Sequence, residues 1–406
     1  MRAERPRFAA LFFLHAHALG MWSLATSNVL KTHGLEQVVP YVFAANALAA
    51  IVSPLVLASL ADQRVAANRL LRWLATGTAI FLALTSLAIE RGWGALPVLA
   101  LLQLQALCSA PMWGLSTSVV LARLETPERE FGPIRVWATI GWMSAGWATS
   151  FLFIADASTR AGFVASAVWL SVAAYTFTLP DVPPLGLAAV RDWRDLLGLR
   201  ALSLLAHRDH RVVFLAAGLF SIPLAAFYPF TALHLSEIGV PEISAALSLG
   251  QVTEIVAMYA LAAILTRVRL KWVFLAGIGL GLVRYLCFAM DSKPWLLAGI
   301  ALHGLCFTFF FITAQLYLEK RIDPQLRARA QALVTLMSSG LGTFIGSIGS
   351  GWWREACRHG ATTDWPRFWL GQSAVIAAVF VFFAAAYRGA VGGTGVPPGD
   401  PPGGTR

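Results

Sequence analysis

Runs of about twenty residues with almost no charge recur along the whole chain, separated by short charged connections. As a helix, a run of that length crosses the hydrocarbon core of a bilayer. Open strands cannot satisfy their backbone there, so helix is the predicted state. Twelve spans are expected, at 8–31, 38–61, 69–90, 94–122, 133–154, 160–180, 211–235, 241–266, 271–290, 294–318, 328–352 and 367–388. Only 13% of the 406 residues are charged, where a soluble domain has roughly a quarter. That is too little charge to cover a globule of this size, so lipid is the expected solvent for much of the surface.

The net charge of +10 is explained by loop bias rather than by nucleic acid, since no basic cluster interleaves with exposed aromatics. With the N-terminus inside, inner loops and tails hold 22 of the 31 Lys and Arg. The outer loops hold Lys31, Arg91, Arg160, Lys293, Arg354, Arg358 and Arg367, and Arg135 and Arg284 fall within spans. This bias predicts both termini on the cytoplasmic side. No cleavable signal peptide is evident, because the run from Phe8 to Leu30 is long enough to span. Cys108, Cys287, Cys306 and Cys357 make no metal or redox spacing, so neither a metal site nor a disulfide framework is expected.

The longest hydrophilic connection, 181–210, divides the spans six and six. Residues 1–180 are read as an N-terminal half, 181–210 as a cytoplasmic linker, 211–388 as a C-terminal half and 389–406 as a disordered Gly/Pro-rich tail. Trp193, Leu196, Leu197 and Leu204 predict a short surface helix in the linker. Two six-helix halves around an inner linker resemble the plan of the major facilitator superfamily. LASLADQRVAANRLLR at 57–72 resembles a worn form of its inner-loop motif, with Asp62 at the acidic position and Arg64 and Arg69 nearby. That plan implies a solute site near the bilayer midplane, between the halves, served by alternating access.

Charges deep in spans are costly unless paired or hydrated, so they point to function. Among the Asp and Glu residues only Glu254 lies near a span centre, in SLGQVTEIVAMYALAA, with Gln251 on the same helix face. A carboxyl group in hydrocarbon gains or loses its proton as its surroundings change, which suits proton coupling or solute binding. Arg284 in span 9 is read either as a partner that modulates Glu254 or as a side chain snorkelling outwards. His303 and Thr308 are the polar residues of span 10, and His15 and His17 in span 1 are read as packing residues. In FGPIRVWATIGW, Arg135, Thr139 and Trp142 follow i, i+4, i+7 and form one stripe. A cation, a hydroxyl and an indole on one face can clamp a polar ring. An arginine at the membrane surface, with the tryptophan facing lipid, is the bland alternative.

FGPIRVWATIGW, GQVTE, LVRYLCFAM, HGLCFTFFFITAQLYLEKRIDPQLRARAQ and TTDW resemble, in this order, the nucleoside:proton symporter family of the major facilitator superfamily. The opening stretch is similar, more distantly, to the matching helix of lactose permease. The resemblance implies that Arg135, Thr139, Trp142, Gln251 and Glu254 face the solute, with Phe307 an aromatic of the same site. His303 stands where the family has Tyr, and Thr308 where it has an Asp. Polar side chains of span 7 are replaced around Pro223 and Ala226.

The expectation is therefore an all-α membrane protein of the major facilitator fold, with twelve transmembrane helices in two six-helix halves. It would be a secondary transporter importing nucleosides, or sugar-like polar ring solutes, with protons. The substrate-binding set is Arg135, Thr139, Trp142, Gln251, Glu254, His303, Phe307 and Thr308, with Glu254 and Arg284 as the proton-coupling pair and Asp62, Arg64 and Arg69 in the conformational loop. No cofactor beyond the proton gradient, no metal and no nucleic acid are expected, and the protein is read as a monomer in a bacterial inner membrane. A uniporter or exporter of amphipathic molecules on the same fold is the alternative. The sequence lacks the paired acids or nucleophile arrangement of an enzyme.

Overall fold

In a computed structural model the chain is almost wholly helical, and the structure describes residues 4–63, 65–182, 194, 199–360 and 362–389. The first set of helices is α1 (Arg5–Thr32), α2 (Val39–Gln63), α3 (Ala67–Glu90), α4 (Ala95–Leu121), α5 (Pro127–Trp147) and α6 (Arg160–Thr178). The second is α7 (Arg208–Glu237), α8 (Ile243–Arg267), α9 (Leu270–Ala289), α10 (Lys293–Arg321), α11 (Leu326–Ala356) and α12 (Trp365–Ala386). Among the described residues, 11 helices are long and apolar enough to cross a membrane. The least apolar is α5, which carries Arg129 and Arg135. Each predicted span falls on one of these helices. The largest shifts are at the two ends of α5: it starts early, with Pro127 in its first turn, and after Trp147 it gives way to a wider turn.

Proline and polar insertions break several helices near their middles. Pro111 interrupts α4 between Ser109 and Met112, and the missing N–H of Pro223 marks the break in α7 before Phe227. Wider π-type turns occur at Ala148–Leu152, Thr308–Ile312 and Leu336–Gly342. Such turns frequently lie at functional sites.

Buried apolar side chains form two clusters. One draws on residues 8–179, the other on 201–387 with Leu24 of α1 added. Each helix set therefore has its own core, and the sets meet along α1, α2 and α5 on one side and α7, α8 and α11 on the other. Both described ends lie on one face. Tyr175 donates to the Arg7 carbonyl (3.1 Å), and the Arg388 backbone N–H donates to Asp209 (3.0 Å).

On the opposite face, polar side chains tie the two sets together. Arg354 at the end of α11 pairs with Glu36 before α2 and with Glu237 at the end of α7 (3.6 Å). Lys31 at the end of α1 stands 3.8 Å from the same Glu237 carboxylate. Asp156, in the α5–α6 connection, accepts from the Ser244 backbone N–H at the start of α8 (2.6 Å). Burial pushes the Asp156 carboxyl above its usual range.

The predicted linker helix falls mostly outside the described residues, as does the tail from 390. Leu204 lies in a described 3-10 turn, Leu199–Ala206. Of the inner-loop motif, Arg64 and the Asp62 side chain also lie outside, and Arg69 is exposed.

Candidate substrate site

Two close helix crossings set up the site. Gly141 of α5 lies against the Phe13 carbonyl of α1, where a Cβ would overlap it. Gly304 of α10 lies against the backbone of Gly250 and Glu254 in α8. Backbone contact of this kind needs small residues and holds helices in fixed register. Thr253 strengthens the second crossing by donating to the Ala301 carbonyl (2.6 Å). The first crossing turns Arg135, Thr139 and Trp142 inwards, and the second sets Gln251 and Glu254 beside His303.

Between the two cores these side chains line a cavity of about 360 Å³. Seven of the eight predicted substrate residues reach it: Arg135, Thr139 and Trp142 from α5, Gln251 and Glu254 from α8, and His303 and Phe307 from α10. Thr308 does not. It is fully buried behind the lining, and its hydroxyl has no partner among the described residues. The helical turn from Phe307 carries the next side chain away from the cavity.

The Arg135 guanidinium sits 4.5 Å from the Trp113 ring centroid, a cation–π contact. Among the described residues it makes no hydrogen bond and no ion pair within 4 Å. Glu254 is likewise unpaired, and the two are each other's electrostatic partners across the cavity. The Trp142 indole N–H and the Gln251 carbonyl oxygen are buried without partners among the described residues. Gln251 donates its amide N–H to the Tyr228 hydroxyl (3.3 Å), and Tyr228 packs 5.9 Å from Trp142.

Arg284 lies elsewhere than the pairing with Glu254 would require, and it does not snorkel. It is 1% exposed, donates to His303 Nδ1 (2.8 Å), and lies over the rings of Phe227 (4.6 Å) and Tyr285 (4.7 Å). The reason is geometric: the α9–α10 contact presents Arg284 to the back of His303, not to the α8 face that bears Glu254. His15 bonds Ser116 (3.3 Å) and His17 bonds Ser144 (2.8 Å), joining α1 to α4 and to α5.

Sequence reasoning missed two aromatic lining residues, Trp113 and Tyr228, besides the small apolar lining of Ala16, Leu19 and Ala138. Both aromatics follow a helix break, Trp113 just after Pro111 and Tyr228 just after the break at Pro223. The prolines were the available signal, because a broken helix turns neighbouring side chains into a cavity.

The Nucleoside H+ symporter family matches residues 5–391. YegT of Escherichia coli K12 is 31% identical over 406 residues, covering 94% of this chain and 93% of the relative. Xanthosine permease of the same organism is 27% identical over 408 residues, covering 94% and 96%. The crystal structure of nucleoside transporter NupG superposes with a TM-score of 0.82 at 24% identity, covering 95% of this chain and 99% of that one, which shows the fold.

Proposed function

The chain belongs to the nucleoside H+ symporter family and has the major facilitator fold, and from that premise we propose that the cavity between its halves binds a nucleoside and that Glu254 carries the coupled proton. The observation that supports this most is the pairing of an unpartnered cation with an unpartnered carboxylate across one cavity. Arg135 and Glu254 face each other with no hydrogen bond to protein among the described residues.

A nucleoside offers what such a cavity lacks. Its ribose hydroxyls both donate and accept, and its base has a flat face with polar edges. Trp142, Tyr228 and Phe307 supply aromatic faces for the base. The unpartnered indole N–H and amide carbonyl supply a donor and an acceptor for its edges. Burying polar groups without partners is costly, so these atoms argue for a polar solute rather than an amphipathic one. Protonation of Glu254 would turn a carboxylate that only accepts into a group that also donates to the solute, and so link proton binding to solute binding. In import, the described termini would lie in the cytoplasm, and the Arg354–Glu36–Glu237 network would close the outer face.

Proteoliposomes with an imposed pH gradient test the reading. Inward-directed protons should drive accumulation of a radiolabelled nucleoside, and dissipating the gradient should abolish it. Uptake unaffected by the gradient would remove the coupling claim; no nucleoside uptake at all would remove the substrate claim.

A further inference from the structure

Two histidines of the C-terminal half are held by the same device, and only one is left with a free nitrogen. His234 Nδ1 accepts from the Trp369 indole N–H (3.0 Å), and its Nε2 bonds Asp291 (2.7 Å). His303 Nδ1 meets the Arg284 guanidinium (2.8 Å). Indole and guanidinium can only donate. Both rings must therefore hold a lone pair on Nδ1 and, when neutral, carry their hydrogen on Nε2. In His234 that hydrogen is used by Asp291. In His303, Nε2 has no hydrogen-bond partner among the described residues, and the ring lines the cavity.

Several contacts prevent the His303 ring from turning. It stacks on Phe227 (4.4 Å between centroids, 12° between planes) and meets Tyr228 edge-on (5.7 Å). Phe307 continues the stack at 6.3 Å. Arg284 is held in turn over Phe227 and Tyr285 and is buried. The charged and titratable groups around His303 are Arg284 of α9, Tyr228 of α7 and Glu254 of α8. A doubly protonated ring would set an N–H against the guanidinium, so the proton-carrying role does not pass to His303.

We propose that Arg284 is a positioning residue that fixes His303 as a hydrogen-bond donor to the cavity, so that the transported base must present an acceptor, a carbonyl oxygen, at that point. The base rather than the ribose is assigned here because the donor sits among the rings of Phe307, Tyr228 and Trp142, which suit a flat partner. This rests on the cavity being a nucleoside site. At the edge where the paired bases differ (C4 of a pyrimidine, C6 of a purine), an oxo group would accept from His303 Nε2–H, whereas an exocyclic amino group would set donor against donor and leave both unpaired.

Two measurements test it, and the first needs no substrate. Nitrogen-15 NMR of histidine-labelled protein, with the His303 signals identified from their loss in His303→Gln, should show protonated Nε2 and unprotonated Nδ1 at pH 7. A protonated Nδ1, alone or in an imidazolium, would overturn the proposal. The second is competitive uptake of matched pairs, inosine against adenosine and uridine against cytidine. The protein should favour the oxo member by about fivefold or more, the scale of one neutral hydrogen bond. Arg284→Met should bring the ratio towards one, and Arg284→Lys, still only a donor, should keep it. A ratio near one in the unaltered protein, or one unchanged in Arg284→Met, would sink the proposal while leaving nucleoside transport standing. If Arg284→Met does not fold, the NMR result and the unaltered protein's ratio still decide. If no nucleoside is taken up, the functional reading fails and the NMR result alone judges the His303 assignment.

Discussion

Arg135 meets the cavity from α5 with a ring at its back and no hydrogen bond among the described residues, whereas on the facing wall Gln251 and His303 are each held by a neighbour, Tyr228 and Arg284. The α5 wall is thus open in its chemistry: a cation on Trp113, a hydroxyl, and an indole N–H without a partner among the described residues. The α8–α10 wall is pre-wired, with Glu254 its one unpaired charged group among the described residues. The difference points to a division of labour. The open wall has most to gain from a solute, while the wired wall aims a few groups in advance and keeps its carboxylate free to exchange a proton.

The largest expected effects are those that would break this division. Glu254→Gln should abolish gradient-driven accumulation and leave solute exchange across the membrane, because the amide still binds but carries no exchangeable charge. Accumulation at the unaltered level in this variant would move coupling elsewhere. Arg135→Gln should do the converse: coupling stays, and the apparent KM rises. Losing a hydrogen bond to a charged group costs about 1.5–3 kcal/mol, which is about 10- to 150-fold in KM. If Arg135→Gln uncoupled transport without changing KM, the two walls would not have separate roles.

Most of the architecture was legible because lipid imposes a simple code. The apolar runs from Phe8 to Arg388 located the helices, and the i, i+4, i+7 stripe placed Arg135, Thr139 and Trp142 on one face, which the fold directs into the cavity. Glu254 stood out because charge in a span is rare. What periodicity could not give is the meeting of different helices. Arg284 is near Glu254 in sequence order of spans, yet its bond goes to His303. Tyr228 was hidden in an apolar segment whose break at Pro223 decides where its ring goes. Thr308 was named as a polar residue of span 10 and for the position it occupies in a related pattern, and the turn of α10 takes it out of the lining.

Gly304→Ala tests whether the wired wall depends on backbone contact. A Cβ there has to displace α8 at Glu254, since the obstacle is backbone and not a flexible side chain. Overpacking of this kind costs about 1–3 kcal/mol. The melting temperature of the purified protein should fall, together with coupling, because Glu254 and His303 shift with their helices. Gly349→Ala, where a Cβ would meet nothing within 4 Å, is the control and should leave both unchanged. Equal behaviour of the two variants would mean that the α8–α10 crossing does not set the geometry of the wall.

Trp142→Phe should give the smallest effect, and it separates binding from stability. The indole N–H is buried without a partner among the described residues, so in the unliganded protein its removal relieves a desolvation cost of about 1–3 kcal/mol. Loss of ring area on the smaller side chain acts against this, at about 25 cal/mol per Å². The melting temperature should therefore change little. For the solute the balance differs, because the donor it would have met is gone. One neutral hydrogen bond is worth about 0.5–1.5 kcal/mol, so KM should rise about 2- to 12-fold with coupling intact. A drop in melting temperature with unchanged KM would make Trp142 a packing residue. The open wall would then comprise Arg135 and Thr139 alone.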